Sequence, residues 1–436
     1  MTSKDCRRPI PVALTTLGLA LAALGIALGP AGCSKSAPEV SSSAPATPAA
    51  AAAPAAAASD LPAPNPDNNA YFGDVHVHTG WSFDALTNGS KTTPTDAYAW
   101  AQGRPITGSG GPDMQIKTPL DFYMVADHAE YMGVFNQMSN PDSPISKTEV
   151  AKGVNSPDAN VRIQTFAKIL RDMSEGKRDP ALSDPALART VWADIVKAAE
   201  ANYVPGKFTT FAGFEWTSNP QKRNLHRVVV FRDTAHLPEL VLSALDSDDP
   251  ETLWKWMDAQ RAKGATLFAI PHNGNASDGR MFELVKFDGK PIDAAYNKTR
   301  AENEPLYEIT QIKGTSETTP VLSPTDEFAG FELWDYTLSA DFERPSHPRG
   351  SFVRQALLDG MSQAAGGAGN PFKYGFIGDT DTHNAAATNE EFNFTGKFAF
   401  ENNPKERLTG VPGSPAGQIQ QIQEFSSGGL AGVWAP

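Results

Sequence analysis

The stretch Asp74-Val75-His76-Val77-His78 closes a short apolar run that begins at Ala70-Tyr71-Phe72. In an extended chain successive side chains point to opposite faces, which places Asp74, His76 and His78 on one face and Val75 and Val77 on the other. One face is polar and rich in ligands. Two imidazoles in a His-x-His pair at the end of a strand reach a single cation, and Zn²⁺ and similar transition ions accept neutral imidazole nitrogen. Taken alone, such a pair is more often two surface or core histidines. Its weight comes from where the other histidines fall.

Working outward, residues 120–126 read as a buried strand that ends in Asp127-His128, and residues 208–214 as another that ends in Glu215-Trp216. His226 opens a run over 227–231, placed as the return arm of a hairpin around Asn219-Pro220. Residues 266–270 finish in Pro271-His272-Asn273, and residues 374–378 in Asp379-Thr380-Asp381-Thr382-His383. Residues 306–312 and 328–334 also read as strands, each with a carboxylate, Glu308 and Glu332.

Helices are expected between them. Thr93-Pro94-Thr95-Asp96 supplies a cap, a first-turn proline and an early acid for 97–102, and Gly264 stops an amphipathic run over 250–263. A further helix is expected over 351–364. Residues 144–202 carry helical spacing but no histidine, so they read as an insertion that covers the fold. Strand and helix alternate with chemistry at each strand end, the footprint of a barrel-like parallel α/β fold.

Six of the eight histidines, His76, His78, His128, His226, His272 and His383, stand at or beside these strand ends, while His236 and His347 read as loop residues. Asp84, Asp127, Glu215 and Asp381 fall close to them in the pattern. So many polar groups converging on one mouth need cations to neutralise and coordinate them.

Composition bounds the partners. The net charge of -13, with no long Lys/Arg cluster, argues against nucleic acid and anionic membrane surfaces. Lys4, Arg7 and Arg8 precede an apolar run over 10–28 and the small residues Ala31-Gly32 before Cys33, which reads as an export signal over 1–33 with Cys33 as a candidate lipidation site. The mature protein is expected in the periplasm or lipid-anchored to the cell envelope, touching a membrane only through that anchor. Both cysteines, Cys6 and Cys33, lie in this leader, leaving none for disulfides or thiolate ligands in the body. An Ala/Pro/Ser-rich tether spans 34–69, and the globular domain 70–436.

Asp-x-His-x-His after a strand, Asp-His, Gly213-Phe214-Glu215, Pro271-His272 and a closing Asp381-Thr382-His383 resemble the motif series of the PHP (polymerase and histidinol phosphatase) superfamily. Tyr71 to Ser82, Ala126 to Tyr131 and Gly213 to Ser218 resemble the DUF3604 family within it. The resemblance implies a distorted (β/α)7 barrel with two or three divalent ions at its mouth. His76, His78, Glu215 and Asp381 would hold one ion, and Glu215 would bridge to a second completed by His272. His128, His226 and His383 would serve the remaining positions, with Asp84 standing where superfamily members have an Asp or His. Ala126 departs from the usual Thr of Thr-Asp-His. Similar proteins continue beyond Gly432-Val433-Trp434-Ala435-Pro436, so a barrel truncated at its C-terminus is expected.

Imidazole and carboxylate ligands without thiolate suit Zn, Mn or Fe. Two adjacent ions lower the pKa of a shared water to roughly 7 and clamp the entering and leaving oxygens, which makes phosphate ester hydrolysis the first expectation. Arg223 and Lys313 are candidates to hold a small anionic substrate, and Trp81 to stack on it. Asp127 is the candidate proton shuttle or orienter of an imidazole. Two other readings stay open: hydrolysis of another ester or amide, and a non-catalytic lipoprotein that captures an anion.

Overall fold

The computed structural model describes residues 64–108, 111–339, 343–387, 389–411 and 414–436. The expected export signal, and the tether up to residue 63, lie outside the described residues.

The His-x-His strand, β1 (Asn69–Val77), is interior to a sheet of order β10-β1-β2-β3, with β2 at Phe122–Val125, β3 at Thr209–Thr210 and β10 at Ala431–Ala435. β1 and β2 run parallel, as do β2 and β3, while β10 pairs antiparallel with β1. Gly73 lets β1 lie close to its neighbour, because a Cβ there would stand 2.2 Å from the Phe122 carbonyl oxygen. The register of β1 against β2 shifts between Asp74 and Val77. Asp74 is fully buried, accepting from Thr380 Oγ1 at 2.5 Å and from the His76 amide at 2.9 Å.

A second sheet, β4 (Ala212–Trp216), β5 (Arg227–Phe231) and β6 (Leu267–Pro271), is antiparallel throughout, so the hairpin around Asn219-Pro220 forms as expected. The antiparallel pairing of β6 with β5 departs from the barrel-like parallel arrangement expected. The run 208–214 does not stay one strand. It breaks at Phe211, giving β3 to the first sheet and β4 to the second. The third sheet has order β8-β7-β9, with β7 at Leu306–Gln311, β8 at Gly314–Thr315 and β9 at Gly375–Gly378. Parallel bridges His128–Glu215 and Val77–Thr382 link the first sheet to the ends of the other two. The described residues thus form a mixed α/β fold of three open sheets.

Residues 328–334 are turns and not a strand. Asp326 Oδ1 accepts from the Phe328 amide at 3.0 Å, starting a turn, and Phe328 and Phe331 are left 73% and 67% exposed. Apolar residues without a sheet edge to join gave a false signal there.

Helices α1 (Phe83–Thr87), α2 (Pro94–Ala101) and α3 (Val134–Gln137) flank the first two strands. Thr93 caps α2 as its sequence demands: its hydroxyl accepts from the Asp96 amide at 3.2 Å and Asp96 Oδ2 accepts from the Thr93 amide at 2.8 Å. The insertion contains α4 (Glu149–Val154), α5 (Ala159–Ser174) and α6 (Pro185–Asn202). α6 packs Trp192 and Ile195 against Phe214 and Phe231, while α5 buries Ile169 in a cluster with Phe83 and Phe135. α7 (Pro250–Ala262) and α8 (Ala294–Asn303) meet at Glu304, whose carboxylate binds Arg227, Trp254 and Arg300. α9 (Val353–Ala365), α10 (Pro404–Thr409) and α11 (Ala416–Gln423) complete the helices.

Candidate metal centre

Glu215, in β4, is the centre of the cluster. Its Oε2 lies 3.2 Å from His76 Nε2, 3.0 Å from His78 Nε2 and 3.4 Å from His128 Nδ1. Its Oε1 lies 2.7 Å from His226 Nδ1 and 3.2 Å from His272 Nε2. Asp381 Oδ1 approaches His76 and His78 to 3.5 and 3.4 Å. Asp84, on α1, places Oδ1 3.2 Å from His128 Nε2 and Oδ2 2.7 Å from His383 Nε2. These nine side chains come from β1, β4 and α1 and from the segments after β1, β2, β6 and β9 and before β5, yet they share one buried neighbourhood.

Four sets offer ligand atoms within 4.8 Å of one another: His76/His78/Glu215/Asp381, His78/His128/His383, Glu215/His226/His272 and His76/His272/Glu308. The chemistry of the donors fits divalent ions. Among the described residues, Nε2 of His78, His128 and His226 is buried without a hydrogen-bond partner, even where a carboxylate oxygen is near. Buried lone pairs of that kind are costly unless a cation takes them.

The opposite ring nitrogens are already held. His76 Nδ1 stands 2.7 Å from Glu308 Oε2, and His78 Nδ1 is 3.0 Å from Ser82 Oγ, which donates to Asp127 Oδ1 at 2.7 Å. His128 Nδ1 is 2.5 Å from Thr217 Oγ1, and His383 Nδ1 is 2.9 Å from the Asp381 carbonyl. Each of these partners can accept from Nδ1–H, the tautomer that presents Nε2 to a metal.

Charge follows the same plan. Burial pushes the Glu215 carboxyl up, but His128, His272 and His226 outweigh it and hold the group well below the usual carboxylate range. Burial likewise opposes Asp381, which Lys313, Lys397 and His76 hold ionised. Burial drives His226 down to about 4 and His383 down to about 3, so both imidazoles are neutral near pH 7. Asp381 and Asn273 adopt φ of +56° and +49°, left-handed backbone at two of the turns that carry ligands.

Residues 65–436 match the family described as a protein of unknown function (DUF3604). The chain belongs to the DUF3604 family. Comparison with curated proteins and with solved structures gives no match.

In this DUF3604 chain the cluster forms the floor of a cavity of about 340 Å³. Asp84, His128, Glu215, His226, Asp381 and His383 face it, together with Lys313, which pairs with Asp381. The other two substrate-contact candidates lie elsewhere. Trp81 packs into the core beside α6 and α7, and Arg223 pairs with Asp278 at 3.2 Å; neither lines the cavity. Asp127 does not line it either. Its oxygens accept from the Thr79 amide and hydroxyl and from Ser82, whose Oγ stands 3.0 Å from His78 Nδ1.

Two participants were not anticipated. The sequence shows Glu308 only as a carboxylate on a strand, and its position in β7 beside the parallel β9 is what aims it at His76. Lys397 lies in a segment without periodic pattern, and its Nζ stands 3.0 Å from Asp381 Oδ1 and 3.1 Å from His383 Nδ1. No local signal in the sequence marks it.

Proposed function

We propose that this protein is a metal-dependent hydrolase, with phosphate esters as its substrates, built on a distorted barrel of the PHP type. The observation that carries the reading is Glu215, whose two oxygens are each faced by a different set of imidazoles, the arrangement of a carboxylate shared between neighbouring ions. Two or three divalent ions bound there supply an activated water and neutralise charge at phosphorus.

The chain's own residues do the rest. His76, His78, Glu215 and Asp381 would hold one ion, Glu215, His226 and His272 a second, and His78, His128 and His383 with Asp84 offer a third position. Lys313 and Lys397 add positive charge beside Asp381, where phosphoryl oxygens gain negative charge during displacement. Ser82, Thr217 and Glu308 keep the imidazoles in the ligating tautomer. The N-terminal signal supports placing this chemistry outside the cytoplasm, on a small anionic ester.

Elemental analysis of the purified protein, alongside turnover of an aryl phosphate with and without chelator, tests the reading. Two or three ions per chain and chelator-sensitive turnover, both lost in His76→Ala, are expected. Turnover of carboxylate esters alone would make it a hydrolase of another class, and bound ions without turnover of any ester would make it an anion binder.

A further inference from the structure

Helix α5 turns apolar side chains in two directions. Ile169 is buried against the core, whereas Ile163, Phe166 and Leu170 are half-exposed and line the cavity above the metal cluster. Across from them stand Trp334, Leu338 and Phe425, with the Trp334 and Phe425 rings stacked at 6.1 Å and 28°. The charged groups are confined to the floor. A ligand in this space meets cations and carboxylates at one end and, on its sides, mainly hydrocarbon with Gln164, Gln418 and Gln421 set between the apolar side chains.

We propose that the natural substrate is an amphipathic phosphate monoester, whose phosphate sits at the metal floor between Lys313 and Lys397 and whose alkyl or aryl body lies against α5. The proposal rests on the phosphoesterase reading above and names its substrate class. A sugar phosphate would press part of its hydroxyl surface against Phe166, Leu338 and Trp334, and polar groups left unpaired there lose affinity. An apolar body instead removes the half-exposed Ile163, Phe166 and Leu170 from water. The cavity, about 340 Å³, is at the small end of ligand sites, which sets the size of that body. In the reaction the oxygen of water bonds to phosphorus, the P–O bond to the alcohol breaks, and the departing alkoxide takes up a proton from that water. Alcohol and inorganic phosphate are the products.

The test uses the metal-loaded full chain with methyl, butyl, hexyl and phenyl phosphate and with glycerol phosphate. Each buried methylene is worth roughly a fourfold gain in kcat/KM, so hexyl phosphate, with five more methylenes, is expected to exceed methyl phosphate by about a thousandfold if all are buried. Phe166→Ala and Ile163→Asn, at half-exposed positions, are expected to flatten that dependence on length. Calorimetric binding of octylphosphonate against methylphosphonate gives a readout independent of turnover. Equal kcat/KM along the series, or a preference for glycerol phosphate over butyl phosphate, would overturn the substrate class while leaving a phosphoesterase. If no phosphate ester is cleaved, the parent reading fails, and tighter binding of octylphosphonate than methylphosphonate still supports the apolar wall, whereas equal binding refutes it.

Discussion

Glu308 Oε2 lies 2.7 Å from Nδ1 of His76, a contact between residues 232 positions apart. Glu308 can accept Nδ1–H of His76, whose Nε2 faces Glu215 and Asp381. Outer partners of ligating histidines commonly contribute about 10–100-fold to metal affinity. Glu308→Gln should therefore weaken metal binding by about that factor, read by competition with a chromophoric chelator, with the circular dichroism spectrum unchanged.

Ser82 links His78 to Asp127, and Asp127 also accepts from the Thr79 amide and hydroxyl. Asp127→Ala leaves these buried donors unpaired, at about 1–3 kcal/mol each. A fall of several degrees in the melting temperature of the metal-free protein is expected. Retention of wild-type stability would show that water or a rotated Ser82 replaces the carboxylate.

Glu304 joins three elements away from the cavity. It accepts from Arg227 Nε at 2.9 Å, Trp254 Nε1 at 2.9 Å and Arg300 Nε at 3.0 Å, all buried. Removing one partner of such a network leaves uncompensated buried charge and costs about 3–5 kcal/mol. Glu304→Ala should lower the urea midpoint accordingly. Because Glu304 touches none of the proposed ligands, metal stoichiometry of the folded fraction should stay at the wild-type value.

Burial pushes the Glu401 carboxyl from the usual 4.5 up to about 7, against the Phe398 and Lys397 amides that favour its charged form. Between those values the folded state holds a proton that the unfolded state has released. Stability therefore falls as pH rises from about 4.5 to about 7, by on the order of 3 kcal/mol in total, and is flat beyond. Denaturant midpoints measured across that window should show a smaller decline in Glu401→Gln, which keeps the group neutral throughout.

Ions that bind the folded chain alone stabilise it by mass action. With free metal at a thousand times the dissociation constant, the gain is about 4 kcal/mol per site. Chelation should lower the melting temperature, and restoring the metal should raise it. A melting curve indifferent to chelator would contradict the multinuclear site.

The sequence by itself determined which segments carry ligand chemistry. Apolar runs ending in His76-Val77-His78, Asp127-His128, Glu215, His272 and His383 mark strand ends because extended buried segments need branched and aromatic residues, while polar groups wait for the turn that follows. It also determined helix starts such as Thr93-Pro94-Thr95-Asp96, since caps depend on local backbone geometry. Only the tertiary structure decided that β6 runs antiparallel beside β5, that the 208–214 run divides between two sheets, and that residues 328–334 join none. It alone brought Glu308 and Lys397 to the cluster and took Trp81, Arg223 and Asp127 away from the cavity. The physical reason is one of range: periodicity and capping act over a few residues, whereas strand pairing and the direction of a buried charge depend on neighbours hundreds of positions away.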